Sequence, residues 1–121
     1  MENFTGVYRT YYNSFGHLPK IIQSEVFMMN GKEEGIRKEY NNLGQIYRTS
    51  ECINGKLHGK QITYGYRNDI PTMECIFVND DKIEEKHFNP HSGKVIEHYK
   101  YKYKYDKLKN RTYYECISIE L

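Results

Sequence analysis

One phrase recurs along this chain at nearly constant spacing: Asn30-Gly31-Lys32-Glu33-Glu34-Gly35, then Asn54-Gly55-Lys56-Leu57-His58-Gly59, then a worn copy, Asn79-Asp80-Asp81-Lys82-Ile83-Glu84. The step from Gly31 to Gly55 is 24 residues and that from Asn54 to Asn79 is 25. A period of this length marks stacked supersecondary units, so the chain is constrained to repeat one small motif rather than fold as an irregular globule.

Five residues after the second glycine of each phrase comes an aromatic, Tyr40 after Gly35 and Tyr64 after Gly59, with Phe88 near the same place in the fourth unit and Tyr12 in the first. Side chains alternate along a strand, so Ile36, Lys38 and Tyr40 share a face, as do Lys60, Ile62 and Tyr64. Turn chemistry follows each aromatic: Asn13-Ser14-Phe15-Gly16, Asn41-Asn42-Leu43-Gly44, Arg67-Asn68-Asp69 and Asn89-Pro90-His91-Ser92-Gly93. Return strands then run over Ile21 to Met29, Gln45 to Ile53 and Thr72 to Val78, each ending at an Asn-Gly pair or its worn equivalent, a strong hairpin signal. The expectation is an all-β fold, a single-layer antiparallel meander of hairpins in units of about 4–29, 30–53, 54–78 and 79–99.

This pattern resembles the MORN repeat family, in the variant found in bacterial YwqK-like proteins: Asn-Gly-Lys-x-x-Gly, four residues, an aromatic, a turn with Gly, and a strand back to Asn-Gly. The resemblance covers about residues 4 to 99 and rests on Gly31, Gly35, Tyr40, Gly44, Gly55, Gly59, Tyr64, Phe88 and Gly93. The first unit carries extra residues between Gly16 and Asn30, the fourth has Asp80 and Glu84 in place of both glycines, and there is no Trp. Degenerate terminal units suit the capping role of end repeats. The glycines themselves are read as turn and close-packing positions. The resemblance implies a non-enzymatic scaffold that binds a protein partner; a link to acidic phospholipids and an antitoxin-like neutralisation of a partner are the family's alternatives.

Composition fits a thin fold. At 121 residues the chain is sized for one domain, and of the 38% counted hydrophobic, 13 residues are Tyr, whose hydroxyls need water or a polar partner. A one-sided core is expected, not a thick sandwich. Lys+Arg 18 against Asp+Glu 16 leaves +2, too little for the long-range field of a nucleic-acid or anionic-membrane binder. No apolar run is long enough to span a bilayer, and Met1 to Thr5 has no secretory pattern, so a cytoplasmic protein is expected. Cys52, Cys75 and Cys116 form no CxxC pair and read as reduced thiols. The absence of Ala beside abundant Lys, Asn, Ile and Tyr points to an AT-rich genome, such as that of a large DNA virus, a protist or a low-GC bacterium.

Beyond the repeats, His98 to Tyr105 alternates strictly, with Tyr99, Tyr101, Tyr103 and Tyr105 on one face and Lys100, Lys102 and Lys104 on the other. A loop over 106–110 leads to a last strand over Tyr113 to Leu121, closing a hairpin over 98–121. Interleaved Tyr and Lys suggest single-stranded nucleic-acid binding, yet rings and charges on opposite faces do not line one trough. A covered Tyr face, with Lys guarding a sheet edge, is the simpler expectation. An open Tyr face would be a contact surface, and Ile117, Ile119 and Leu121 or their strand edge would support a homodimer.

No catalytic signature occurs. There is no nucleophile elbow, Walker loop, dinucleotide fingerprint or HExxH pair, and His17, His58, His87, His91 and His98 lack metal-ligand spacing, so no cofactor or metal is expected. Glu33-Glu34 and Glu84-Glu85 are paired carboxylates, expected at solvated hairpin turns.

Overall fold

The computed structural model describes residues 3–12, 20–65 and 70–121. Among the described residues are nine strands: β1 (Gly6–Tyr11), β2 (Ile22–Met29), β3 (Lys32–Tyr40), β4 (Ile46–Ile53), β5 (Lys56–Tyr64), β6 (Pro71–Val78), β7 (Asp81–Phe88), β8 (Val95–Asp106) and β9 (Arg111–Ser118). They lie in one sheet in chain order, every neighbouring pair antiparallel. The expected meander is the observed fold. The turns expected at Asn13 to Gly16 and Arg67 to Asp69 lie outside the described residues.

Two-residue turns join β2 to β3, β4 to β5 and β6 to β7, closed by Met29 opposite Lys32, Ile53 opposite Lys56 and Val78 opposite Asp81. Both central residues have positive φ in each: Asn30 50° and Gly31 79°, Asn54 53° and Gly55 82°, Asn79 48° and Asp80 72°. This is the handedness that matches strand twist, and Asn, Asp and Gly are the residues that adopt it at least cost. The worn third phrase therefore keeps its turn despite losing glycine.

The turns also bond to one another. Gly31 N–H donates to the Phe4 carbonyl (2.7 Å), Gly55 N–H to Glu33 (2.9 Å) and Asp80 N–H to Leu57 (2.8 Å). Beside them, Asn30 N–H reaches Thr5 Oγ1 (3.0 Å), Asn54 N–H reaches Glu34 Oε2 (2.6 Å) and Asn79 N–H reaches His58 Nδ1 (3.2 Å). Each phrase thus accepts from the next. Lys82 holds the position equivalent to Glu33 and Leu57, and its carbonyl accepts instead from the Tyr103 hydroxyl at 2.9 Å. The C-terminal hairpin finishes the ladder with a side chain where a turn amide would stand.

The second glycine sits at a bulge. Opposite the single residue between Glu25 and Phe27 stand three, Gly35-Ile36-Arg37, and opposite the one between Ser50 and Cys52 stand His58-Gly59-Lys60. Gly35 and Gly59 there have φ of 89° and 112°. In the fourth unit only Ile83 is extra, and β7 has 8 residues where β3 and β5 have 9. Losing the glycine shortened the bulge. A second bulge follows each aromatic: Tyr11 pairs with Ile22, Tyr40 with Ile46, Tyr64 with Pro71 and Phe88 with Val95, and each time one residue of the return strand is skipped. Tyr11, not Tyr12, is therefore the first unit's aromatic, because insertion of extra residues after Gly16 hides the phase there. Tyr12 instead donates its hydroxyl to the Tyr40 carbonyl at 2.6 Å.

Among the described residues, those buried are Val26, Met28, Ser50, Cys52 and Cys75. Register places all of them on one face, hereafter the inner face, with Gln61, Arg37, Glu39 and Glu85 among their neighbours. A single layer can bury small side chains only where longer ones on the same face lie over them. The repeat aromatics and Ile36, Lys38, Lys60 and Ile62 belong to the outer face, as the alternation of β3 and β5 requires.

Candidate interaction surface

The inner face carries two distinct polar and aromatic clusters. Over β3 and β4, Glu39 accepts from Arg48 Nη2 (2.9 Å) and the Tyr47 hydroxyl (3.0 Å), while Arg37 Nη1 reaches Glu33 at 3.2 Å. Arg37 Nε lies 3.4 Å from Glu39 Oε1, an ion-pair distance, but its N–H is misaligned and buried without a hydrogen bond. Tyr47 is the bulged residue of β4, and the bulge turns its ring toward the inner-face carboxylate. Burial pushes the Glu39 carboxyl up, but the bonds from Arg48 and Tyr47 and both arginine charges outweigh it and hold it below its ordinary value. The cluster borders an open groove of ≈ 320 Å³ with Thr10 and Ser24. Its charges are already matched within the fold.

The second cluster spans β7, β8 and β9. Tyr99, Tyr101, Tyr103 and Tyr105 share the inner face, opposite Ser118, Cys116, Tyr114 and Thr112 respectively. Tyr114 packs against Tyr101 and Tyr103 with ring centroids 5.9 and 6.1 Å away. Lys82 Nζ stands 5.0 Å from the Tyr101 centroid and 2.6 Å from Glu85 Oε1, whose other oxygen lies 2.8 Å from His87 Nε2. His87 in turn meets Tyr99 edge-on. Burial raises the Glu85 carboxyl, and the Lys82 and His87 contacts more than offset it, leaving it ionised.

Tyr99 and Tyr101 are half-buried, but Tyr103 is 41% exposed, Tyr105 56% and Tyr114 62%, so the expectation of a covered Tyr face is corrected to a half-open panel. Nor do Lys100, Lys102 and Lys104 guard an edge, because β8 lies inside the sheet between β7 and β9. They occupy the outer face, where Lys104 pairs with Glu115 at 3.0 Å. Of the apolar residues singled out with the tyrosines, Ile117 falls on the outer face opposite Lys100. Ile119 lies past the end of β9, tied by its N–H to the His98 carbonyl at 2.8 Å, and Leu121 is exposed beyond it. The candidate surface therefore divides, with the tyrosines together and the aliphatic residues elsewhere.

Gly31, Gly35, Gly55 and Gly59 hold the turns and bulges described above, and Gly44 and Gly93, with φ of 80° and 72°, close the turns after Tyr40 and Phe88. Glu33-Glu34 and Glu84-Glu85 stand within β3 and β7, not in turns, and each is engaged: Glu84 lies 2.7 Å from His98 Nε2, a bond that lowers its carboxyl. Sequence reasoning missed Tyr114 as a panel member. The loop expected over 106–110 would set Tyr113 against Tyr103; the turn is one residue shorter, Asp106 pairs with Arg111, and Tyr114 takes that place.

Cys52 and Cys75 are buried and Cys116 is exposed, all with free thiols. Among the described residues, no group of His, Cys, Asp and Glu is arranged to hold a metal ion, and no helix is long and apolar enough to cross a membrane. No family model matches the sequence, and comparison with curated proteins and with solved structures likewise returns no match.

Proposed function

We propose that this protein is a non-enzymatic repeat scaffold of the MORN type that presents the tyrosine panel of its C-terminal hairpin to another protein and self-associates through that hairpin. The observation that carries this reading is the panel itself, Tyr99, Tyr101, Tyr103, Tyr105 and Tyr114 on one face of adjacent strands, with Tyr103, Tyr105 and Tyr114 partly open to solvent. Tyr joins large apolar area to a hydroxyl at low entropic cost, which suits interface cores. Contiguous exposed rings of this kind mark contact surfaces.

Of the adjacent carboxylates Glu84 and Glu85, the first reaches His98 on β8 and the second Lys82 and His87 on its own strand, and these contacts hold both below their ordinary value. On the outer face, Lys100 stands opposite Glu84 and Lys102 opposite Glu115, a mixed pattern that argues against an anionic membrane or nucleic acid as ligand. The test uses the full chain and a Tyr101→Ser, Tyr103→Ser variant shown to be folded by circular dichroism. Purification from the native host should recover a second protein at fixed stoichiometry with the wild type and lose it with the variant. Retention by the folded variant, or salt-sensitive binding of the wild type to anionic vesicles or single-stranded nucleic acid, would overturn it.

A further inference from the structure

The outer side of β9 is a row of backbone groups whose geometry is fixed by one bond. Ile119 N–H donates to His98 C=O, and β8 and β9 pair without a register shift, so the odd-numbered residues of β9 bond to β8. The N–H and C=O groups of Thr112, Tyr114, Cys116 and Ser118 then point away from the sheet. Natural edge strands are commonly blunted by Lys, Pro or bulges. This one has none of these within Arg111–Ser118, and its two charged residues, Arg111 and Glu115, are opposite in sign and share the outer face.

We propose that β9 is a self-pairing edge, joining two copies antiparallel in the register that sets Arg111 opposite Glu115 of the second copy and Tyr113 opposite its own equivalent. The inference rests on the self-association part of the function proposed above and specifies its partner as a second copy of this chain. Only registers that match outward-pointing residues with one another can form bonds. Among these, pairing Thr112 with Tyr114 of the second copy gives reciprocal backbone bonds on both sides of the two-fold axis. It also places Arg111 and Glu115 in a non-hydrogen-bonded pair, where side chains approach most closely. Sliding by one permitted step sets Arg111 opposite Ile117, and sliding by two sets Glu115 against Glu115. Charge complementarity selects the first register, and the two-fold axis makes the contact twice.

Arg111→Glu and Glu115→Arg should each weaken the dimer by about tenfold or more, because both symmetry-related pairs become like-charged. Mixing the two variants should restore association as a heterodimer, and the double variant Arg111→Glu, Glu115→Arg should dimerise more tightly than either single variant, though below the wild type because Glu115→Arg also breaks the pair with Lys104. Sedimentation equilibrium across a concentration series reads all four. Single variants that dimerise undiminished, or a mixture that stays monomeric, would overturn the register. A wild type monomeric at every concentration would overturn the pairing while leaving the tyrosine panel's role standing, since that is read by partner loss in the Tyr101→Ser, Tyr103→Ser variant. Should a reversal variant fail to fold, hydrogen exchange on the wild type decides: the amides of Thr112 and Tyr114 should gain protection with concentration, and unchanged exchange there would overturn the proposal.

Discussion

Gly59→Ala tests whether the second glycine of the phrase is there for backbone shape. At φ 112° an alanine is strained whatever the space around it, at a cost of about 1–2 kcal/mol. Its Cβ would also stand 3.2 Å from Glu51 Cβ and collide with the Glu51 carboxylate. Glu51 is exposed, so it can swing into water, adding about 0.5–1 kcal/mol of rotamer and packing cost. Gly35→Ala is the internal control: its φ is 89°, and nothing lies within 4 Å of the added methyl, so only the backbone cost of about 1–2 kcal/mol remains. Urea unfolding followed by far-UV circular dichroism, with a slope of about 1.5 kcal/mol/M, should then show midpoints lower by about 1 M for Gly35→Ala and about 1.5 M for Gly59→Ala. Adding Glu51→Ala to both backgrounds should narrow the difference to a few tenths of a kcal/mol. A neutral Gly35→Ala would refute the bulge argument. Equal losses at the two glycines, unaffected by Glu51→Ala, would refute the steric part.

Three further outcomes are expected. Glu39, Glu84 and Glu85 are all held below the carboxylate value of 4.5, so their contribution is present above that pH and is lost as pH falls through their folded values. The urea midpoint should drop between pH 5 and about pH 3, and Glu39→Gln should flatten the fall; a midpoint constant over that range would contradict the network. Burial raises the Cys52 and Cys75 thiols, so a thiol reagent should modify Cys116 first and reach the other two only on unfolding, as peptide mass mapping would show. Tyr103→Phe removes the hydroxyl that caps the Lys82 carbonyl, an exposed bond worth about 0.5–1 kcal/mol, so thermal unfolding should shift by only a few degrees; loss of cooperative folding would show that the capping bond carries far more than this.

The repeat was legible because turn chemistry and strand alternation are local. Asn30-Gly31 and Asn54-Gly55 announce their turns, and even Asn79-Asp80 keeps the same backbone because Asn and Asp tolerate positive φ. What escaped reading was decided by bulges and between strands. Glu33, Glu84 and Glu85 look like turn residues in sequence, but Glu84 reaches across to His98 on β8, while along β3 and β7, where bulges change the spacing, Arg37 reaches Glu33 and Lys82 reaches Glu85. The same holds for Lys100, Lys102 and Lys104, which read as an edge guard until β9 is seen to flank them.

Bulges explain the deepest of these differences. Phe88 and Val95 are paired on the outer face, and simple alternation from Val95 would carry Glu97, Tyr99 and Tyr101 outward as well. Ile96 is skipped in the register, so parity reverses, and Glu97 pairs with the inner-face residue His87. One unpaired residue therefore sends the whole tyrosine series to the face opposite the repeat aromatics. There the rings meet Lys82, Glu85 and His87, and Tyr103 can reach the Lys82 carbonyl that ends the turn ladder. The device that shapes each repeat thus also decides which side of the sheet the tyrosine panel occupies, while the next turn leaves β9 with an outward row of backbone groups. Scaffold geometry and proposed contact surfaces follow from the same register.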